Sequence, residues 1–256
     1  MKQQYRLSID DTILVFRDLA EHRYPSLFDN AYLAMLRVLH GEFQTKLHLN
    51  IYFQTDGFCL SQMPDCYRDE WQQNADWLQL SFHALQNDPP NPYQNAGYDR
   101  VLEDCRLVQH EICRFAGERV LSSSTTLHYC TTTKEGCRAL HDCGVRDLVG
   151  LFYELPCYHL PPDTGHYLLT HSYLDDSETQ LRFFANDLVL NNLALTQICP
   201  ALEQKREKQF LELMIHEQYY HEESPYYQPD FEKKLRLALG WLTEREYQPI
   251  FLSQCQ

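Results

Sequence analysis

The chain has 256 residues, 44% of them hydrophobic, and a formal net charge of -14. That length fits one large domain or two small ones, the apolar content supplies a full core and excludes long disorder, and the acidic balance argues against nucleic acid or an anionic membrane as main partner. No apolar run approaches the roughly 20 residues that a membrane span needs, and the segment from Met1 to Tyr5 offers no signal-peptide apolar region. The 10 cysteines contain no Cys-x-x-Cys pair. They therefore read as reduced, mostly core thiols of a cytoplasmic protein rather than a zinc ribbon or a disulfide framework.

In chain order, the first strand spans 7–11 and ends in the adjacent carboxylates Asp10 and Asp11. In a regular strand these point to opposite faces. A polar-apolar mix follows. A helix over 30–39 closes at Gly41, and strands follow over 47–53 and 77–83. The clearest helix covers 98–116, where Val101, Cys105, Val108, Ile112 and Phe115 recur at steps of four and three and Gly117 suits the C-cap. A Ser/Thr-rich strand over 122–129 leads to a short helix, 133–143, stopped by Gly144. A buried strand is expected over 145–153, a weaker one over 187–190, a polar helix over 199–210 and a strand over 211–216. A helix over 229–245, with Phe231, Leu235, Ala238 and Leu242 as its buried stripe, precedes a last strand over 248–252. Segment 157–182, with His159, His166 and His171, fits the alternation poorly and reads as an inserted loop or hairpin region of a single domain, 1–256.

Strand-helix alternation of this length implies parallel pairing and a (β/α) barrel, with an open doubly wound sheet as the alternative; no Gly-rich phosphate loop follows the first strand. Chemistry in such barrels sits at the C-terminal ends of strands. Those ends carry Asp10 and Asp11, then His83, then His128, then His216 with Glu217. Carboxylates and imidazoles from four strands are what a divalent metal site with a proton-transfer group beside it uses. Each residue also has a plainer explanation: two Asp at a strand end can cap the next helix, His83 and His128 can be satisfied interfacial histidines, and His216-Glu217 can be an ion pair. His40 and His141 lie near helix ends, His110 lies off its helix's apolar stripe, His48 lies inside a strand, and His221 with Glu222 and Glu223 is within reach of the site mouth.

Three segments carry a resemblance. Ser8-Ile9-Asp10-Asp11-Thr12 is similar to the Thr-Phe-Asp-Asp-Gly motif of polysaccharide deacetylases, the NodB-homology carbohydrate esterases. Leu80-Ser81-Phe82-His83 resembles the start of their His-x-x-x-His motif, and Leu213-Met214-Ile215-His216-Glu217 resembles their late catalytic strand. The resemblance implies a distorted, seven-stranded (β/α) barrel and a hydrolase that removes acetyl groups from N-acetylated sugars with a divalent metal, usually zinc. It implies Asp10 as general base, Asp11 and His83 as ligands and His216 as general acid. Departures are Thr12 for the motif glycine, Asn87 where the second histidine belongs, and no Arg-Pro-Pro-Tyr motif. The third ligand is then His128, by strand order, or Asn87 or Asp88. Tyr129 is a candidate for holding an oxyanion. The absence of an export signal points to a small cytosolic substrate, such as an acetylated sugar or sugar nucleotide. Two alternatives stand beside this: a non-catalytic carbohydrate- or ligand-binding barrel, and a glycosidase whose second carboxylate is Asp187 or Glu217.

Overall fold

A computed structural model describes residues 2–152 and 157–255. The elements run β1 (Gln4–Thr12), α1 (Leu14–His22), α2 (Ala31–Phe43), β2 (Leu47–Tyr52), a small hairpin of β3 (Gln54–Thr55) and β4 (Phe58–Cys59), α3 (Arg68–Gln73) and β5 (Leu78–Ala84). Then come α4 (Tyr98–Phe115), β6 (Ser124–Thr125), α5 (Lys134–Asp142), β7 (Asp147–Gly150), α6 (Pro162–Thr170), β8 (Leu174–Asp176) and β9 (Leu181–Ala185). The last are β10 (Leu188–Val189), α7 (Leu195–Glu203), β11 (Phe210–His216), α8 (Phe231–Glu244) and β12 (Gln248–Pro249).

Two sheets, ordered β10-β11-β1-β2-β5 and β6-β7-β9-β8, form the wall. Leu80 bridges Leu121 in parallel, which joins β5 to the segment leading into β6. At the other seam the chain passes from β9 into β10, and the N–H of Asp187 reaches the carbonyl of Glu212 at 2.8 Å. The circuit β1, β2, β5, β6, β7, β9–β10 and β11 is thus a distorted seven-stranded (β/α) barrel, with β12 beside the foot of β1.

Several boundaries differ from expectation for local reasons. The mix after the first strand is helix α1. Gly41 lies inside α2, which Asn30 caps by accepting from the N–H of Leu33, and which ends at Gln44 in left-handed backbone, φ 54°. The strand expected over 122–129 shrinks to two residues; beyond it Tyr129 and Cys130 take positive φ and turn the chain. The expected strand over 145–153 is β7, and Tyr153 lies outside the described residues. The polar helix sits earlier, at α7, because Phe210 already belongs to β11. Segment 157–182 holds α6 and β8, which pairs antiparallel with β9. The stripes read from α4 and α8 are buried as expected. No helix among the described residues is long and apolar enough to cross a membrane.

The barrel interior is polar at several levels. Arg6, 1% exposed, donates to Glu212, which has no exposure at all. Burial pushes the Glu212 carboxyl up to about 8, against the pull of Arg6 and with the help of the charges on Asp10 and Asp187. The fold therefore keeps a proton that the unfolded chain releases, and this contribution to stability is present in full below the ordinary carboxylate range and is lost as pH rises toward that raised value. Glu212→Gln, which mimics the protonated form, is expected to gain on the wild type by more than about 1 kcal/mol between about pH 5 and about pH 8. Urea unfolding at both pH values measures this, and a difference that stays constant with pH would refute it.

Candidate metal centre

The site begins with a defect in β1. Its register with β2 slips between Ile9 and Thr12, and Asp11 adopts φ 57°. A bulge with a left-handed residue re-aims a side chain. Strict alternation is undone: Asp10 meets Asn50 and Asp11 meets Tyr52, and these two partners are two residues apart on the same face of β2. Both carboxylates therefore look into the barrel, where a regular strand would have turned one of them away.

Asp11, His83 and His128 come together there. One ligand atom from each lies within 4.8 Å of the others, and all three residues are buried. His83 Nε2 is 3.0 Å and His128 Nδ1 3.3 Å from the same Asp11 oxygen, Oδ1. Each ring spends its other nitrogen on a main-chain carbonyl: His83 Nδ1 donates to Thr126, and His128 Nε2 donates to Asn87 at 3.1 Å. A carbonyl only accepts, so the two ring protons sit on those nitrogens. In the neutral rings, the nitrogens facing Asp11 are then lone pairs directed at a carboxylate; the Tyr52 hydroxyl, 3.0 Å from His128 Nδ1, has one proton for that nitrogen and for Asp11 together. Such a meeting of acceptors calls for a proton or a metal ion between them. The donor set suits a metal: carboxylate oxygen with two imidazoles, each oriented by an outer hydrogen bond, is a zinc-type first shell. The separations of 3.0 and 3.3 Å are close to the edge, roughly 3.3 Å, of a tetrahedron with bonds of ~2.0–2.1 Å.

Electrostatics agree with this geometry. Burial alone raises the Asp11 carboxyl, but His128, His83 and the nearby His216 outweigh it and hold it well below the ordinary range. For His83 burial lowers the imidazole, while Asp11 and Asp10 raise it above its usual value. Tyr52 is pushed well up by burial and by the charge on Asp11, so it keeps its proton and donates it to Asp11. Gln218 Nε2 holds the second oxygen of Asp11 at 3.1 Å.

Around this centre, Asp10 is 1% exposed and accepts from Asn50. His216 stands opposite Asp10 in the parallel register and gives its Nδ1 proton to Asn191 Oδ1 at 2.9 Å. Tyr129 is 47% exposed, with its ring edge-on to His128 at 4.4 Å. Asn87 supplies the triad with a carbonyl rather than its side chain, which donates to the exposed Asp88 at 3.2 Å. A cavity of about 820 Å³ opens above, lined among others by Asp11, Tyr52, Gln54, Asp88, Gln218 and Tyr226.

Two candidates are corrected. Glu217 is fully buried and spends both carboxylate oxygens on the N–H groups of Ile13, Leu14 and Val15, at 2.6, 2.8 and 2.7 Å. It caps α1, whose own N-cap residue, Ile13, has no side-chain acceptor. Asp187 lies well below the strand ends, level with Glu212, and binds Lys205 and Lys208 at 3.3 and 2.6 Å. Neither carboxylate is free to act as the second acid of a glycosidase. His221 leans on Glu217 at 3.3 Å instead of reaching the centre. Sequence reasoning missed Tyr52, Gln218, Asn50 and Asn191. Tyr52 had a usable signal, since it stands at the C-terminal end of a barrel strand.

No family model and no curated protein matches the chain. Solved structures do. A 4-α-glucanotransferase from Thermococcus litoralis is 14% identical over 99% of this chain, with a TM-score of 0.63, and this chain spans 40% of its length. A family 4 acetyl xylan esterase from Clostridium thermocellum, solved with a cobalt ion, is 12% identical over 98% of this chain and 89% of its own, with a TM-score of 0.55. A protein assigned to the polysaccharide deacetylases from Mycobacterium smegmatis is 11% identical over 99% and 89%, with a TM-score of 0.62. This chain has the polysaccharide deacetylase fold. At these identities the likeness is one of fold, and the site has to be argued from its own atoms.

Glu217→Ala leaves three N–H groups without their acceptor, and stability is expected to fall by about 3 kcal/mol or more. Chemical denaturation reads this directly, and a loss under about 1 kcal/mol would show that water or another side chain caps α1 equally well.

Proposed function

We propose that the protein is a metal-dependent hydrolase that removes an acetyl group from an N-acetylated sugar or a similar amide. The observation that carries this reading is the convergence of two imidazole nitrogens on one carboxylate oxygen, next to an open cavity. Asp11, His83 and His128 hold the ion in this reading, and zinc suits their donor set. A divalent ion there supplies Lewis acidity and an acidified water.

The remaining roles belong to side chains. Asp10, held in place by Asn50, takes the proton of the attacking water at its carboxylate as the water oxygen bonds to the acyl carbon. His216, with Nδ1 committed to Asn191, presents Nε2 and in its protonated form passes a proton to the leaving nitrogen as the acyl carbon–nitrogen bond breaks. Tyr52 and Gln218 fix both oxygens of Asp11, so the ligand cannot rotate away. A cavity of this volume is of the size that takes a small ligand or a short saccharide.

The purified protein is expected to bind one equivalent of zinc, cobalt or nickel, and Asp11→Ala and His83→Ala to abolish binding, as read by elemental analysis. Unchanged metal content in both variants would refute the ligand assignment. Release of acetate from a panel of N-acetylated sugars tests the chemistry, and its absence with all three metals would refute the deacetylase reading. Because a proton competes for His83, whose imidazole Asp11 holds above the usual value against burial, metal affinity in chelator competition is expected to fall as pH drops from about 8 to about 6.

A further inference from the structure

Beneath the metal centre the barrel holds a file of polar side chains that the ligand set does not use. Arg6, His48, Ser81, Asn50 and Asp10 are each at most 2% exposed and touch one another in that order. The direction of each hydrogen bond follows from what its partners can give or accept. A guanidinium only donates, so His48 Nδ1 accepts from Arg6 Nε at 3.1 Å. The ring proton must then lie on Nε2, which donates to Ser81 Oγ at 2.9 Å. Ser81 Oγ lies 2.6 Å from Asn50 Oδ1 and 3.2 Å from Thr125 Oγ1, and the shorter contact takes its single proton to Asn50. The Asn50 amide is left with its N–H groups toward Asp10, and a carboxylate only accepts. Every member donates the same way, from the cation at the foot of the barrel to the carboxylate at its mouth. Such a file polarises cumulatively in a dry interior.

We propose that Arg6 positions Asp10 from the far end of the barrel through this one-way run over His48, Ser81 and Asn50. The proposal rests on the reading of Asp10 as the proton acceptor, but the run itself can be tested without turnover. Arg6 is able to serve it because its other acceptor, Glu212, keeps a proton through burial, which leaves the guanidinium charge to polarise the file. His48, pressed down by burial and by Arg6, is a neutral link rather than a second cation. Arg6 from β1 and Ser81 from β5 are the side chains that face it from the neighbouring strands, and Arg6 is the only charged group among them. In the proposed reaction these residues orient Asp10 and do not touch substrate, so they are positioning residues.

The test uses the full-length protein, labelled with nitrogen-15. His48 is expected to be neutral with its proton on Nε2, and the Asn50 amide proton facing Asp10 to resonate at low field. His48→Leu interrupts the file and should move that proton upfield, whereas His48→Gln, which accepts with its oxygen and donates with its nitrogen, should restore it. Ser81→Ala interrupts the file with a smaller change of volume and serves if His48→Leu does not fold. With an acetylated substrate, the interrupted variants should lose about tenfold in kcat with KM unchanged, and His48→Gln should recover it. A His48 proton on Nδ1, or an Asn50 proton indifferent to Ser81→Ala and His48→Leu, would overturn the proposal. If the Asn50 proton responds as stated and no acetylated sugar is turned over, the relay stands and the deacetylase reading falls.

Discussion

Asp11 holds a backbone conformation that L-residues resist. Left-handed φ costs a non-glycine side chain roughly 1–2 kcal/mol, and here it coincides with a slip in the β1–β2 register. The rest of the barrel mouth depends on that one turn. It brings both carboxylates of an Asp-Asp pair to the inner face, gives Asp11 to Tyr52, Gln218 and two imidazoles, and leaves Asp10 to the polar file below. The turn is held in part because Tyr52 and Gln218 each donate to one oxygen of the carboxylate that it presents.

Much of the frame was legible in the sequence because it depends on periodicity. Stripes such as Val101–Cys105–Val108–Ile112–Phe115 and strand ends such as His83 and His216 survive changes in local detail. Illegible were features that depend on distance across the barrel. Nothing near Glu217 says that it caps a helix more than two hundred residues earlier, and nothing near Asp187 says that it sits at the wrong height. The alternation rule failed at Asp10-Asp11 for a local reason, since the bulge is invisible until the neighbouring strand fixes the register. The strand expected through His128 failed because Tyr129 and Cys130 turn there; the same turn sets His128 beside Asp11 instead of along a ladder.

The interior is unusual for a barrel in that charge and amide groups, rather than branched aliphatics alone, fill its axis. Arg6, Glu212, His48, Asn50 and Asp10 are nearly inaccessible to water. Unpaired, any of them would cost several kcal/mol. Paired in a single connected set they fix one another's orientation, and a set of this kind discriminates between registers more sharply than interchangeable apolar side chains do.

The Glu217 cap also orders events in time. β1 is made first, yet its full-length neighbour β11 and the carboxylate that secures α1 come from the last fifth of the chain, with cap hydrogen bonds spanning 202 to 204 residues. Contacts of such separation close late and slow the search for the native state. While the protein is being synthesised, then, β1 and α1 must wait, half-dressed, for some two hundred further residues to emerge. A cell that makes this barrel has to shelter one apolar edge until the carboxyl-terminal elements arrive.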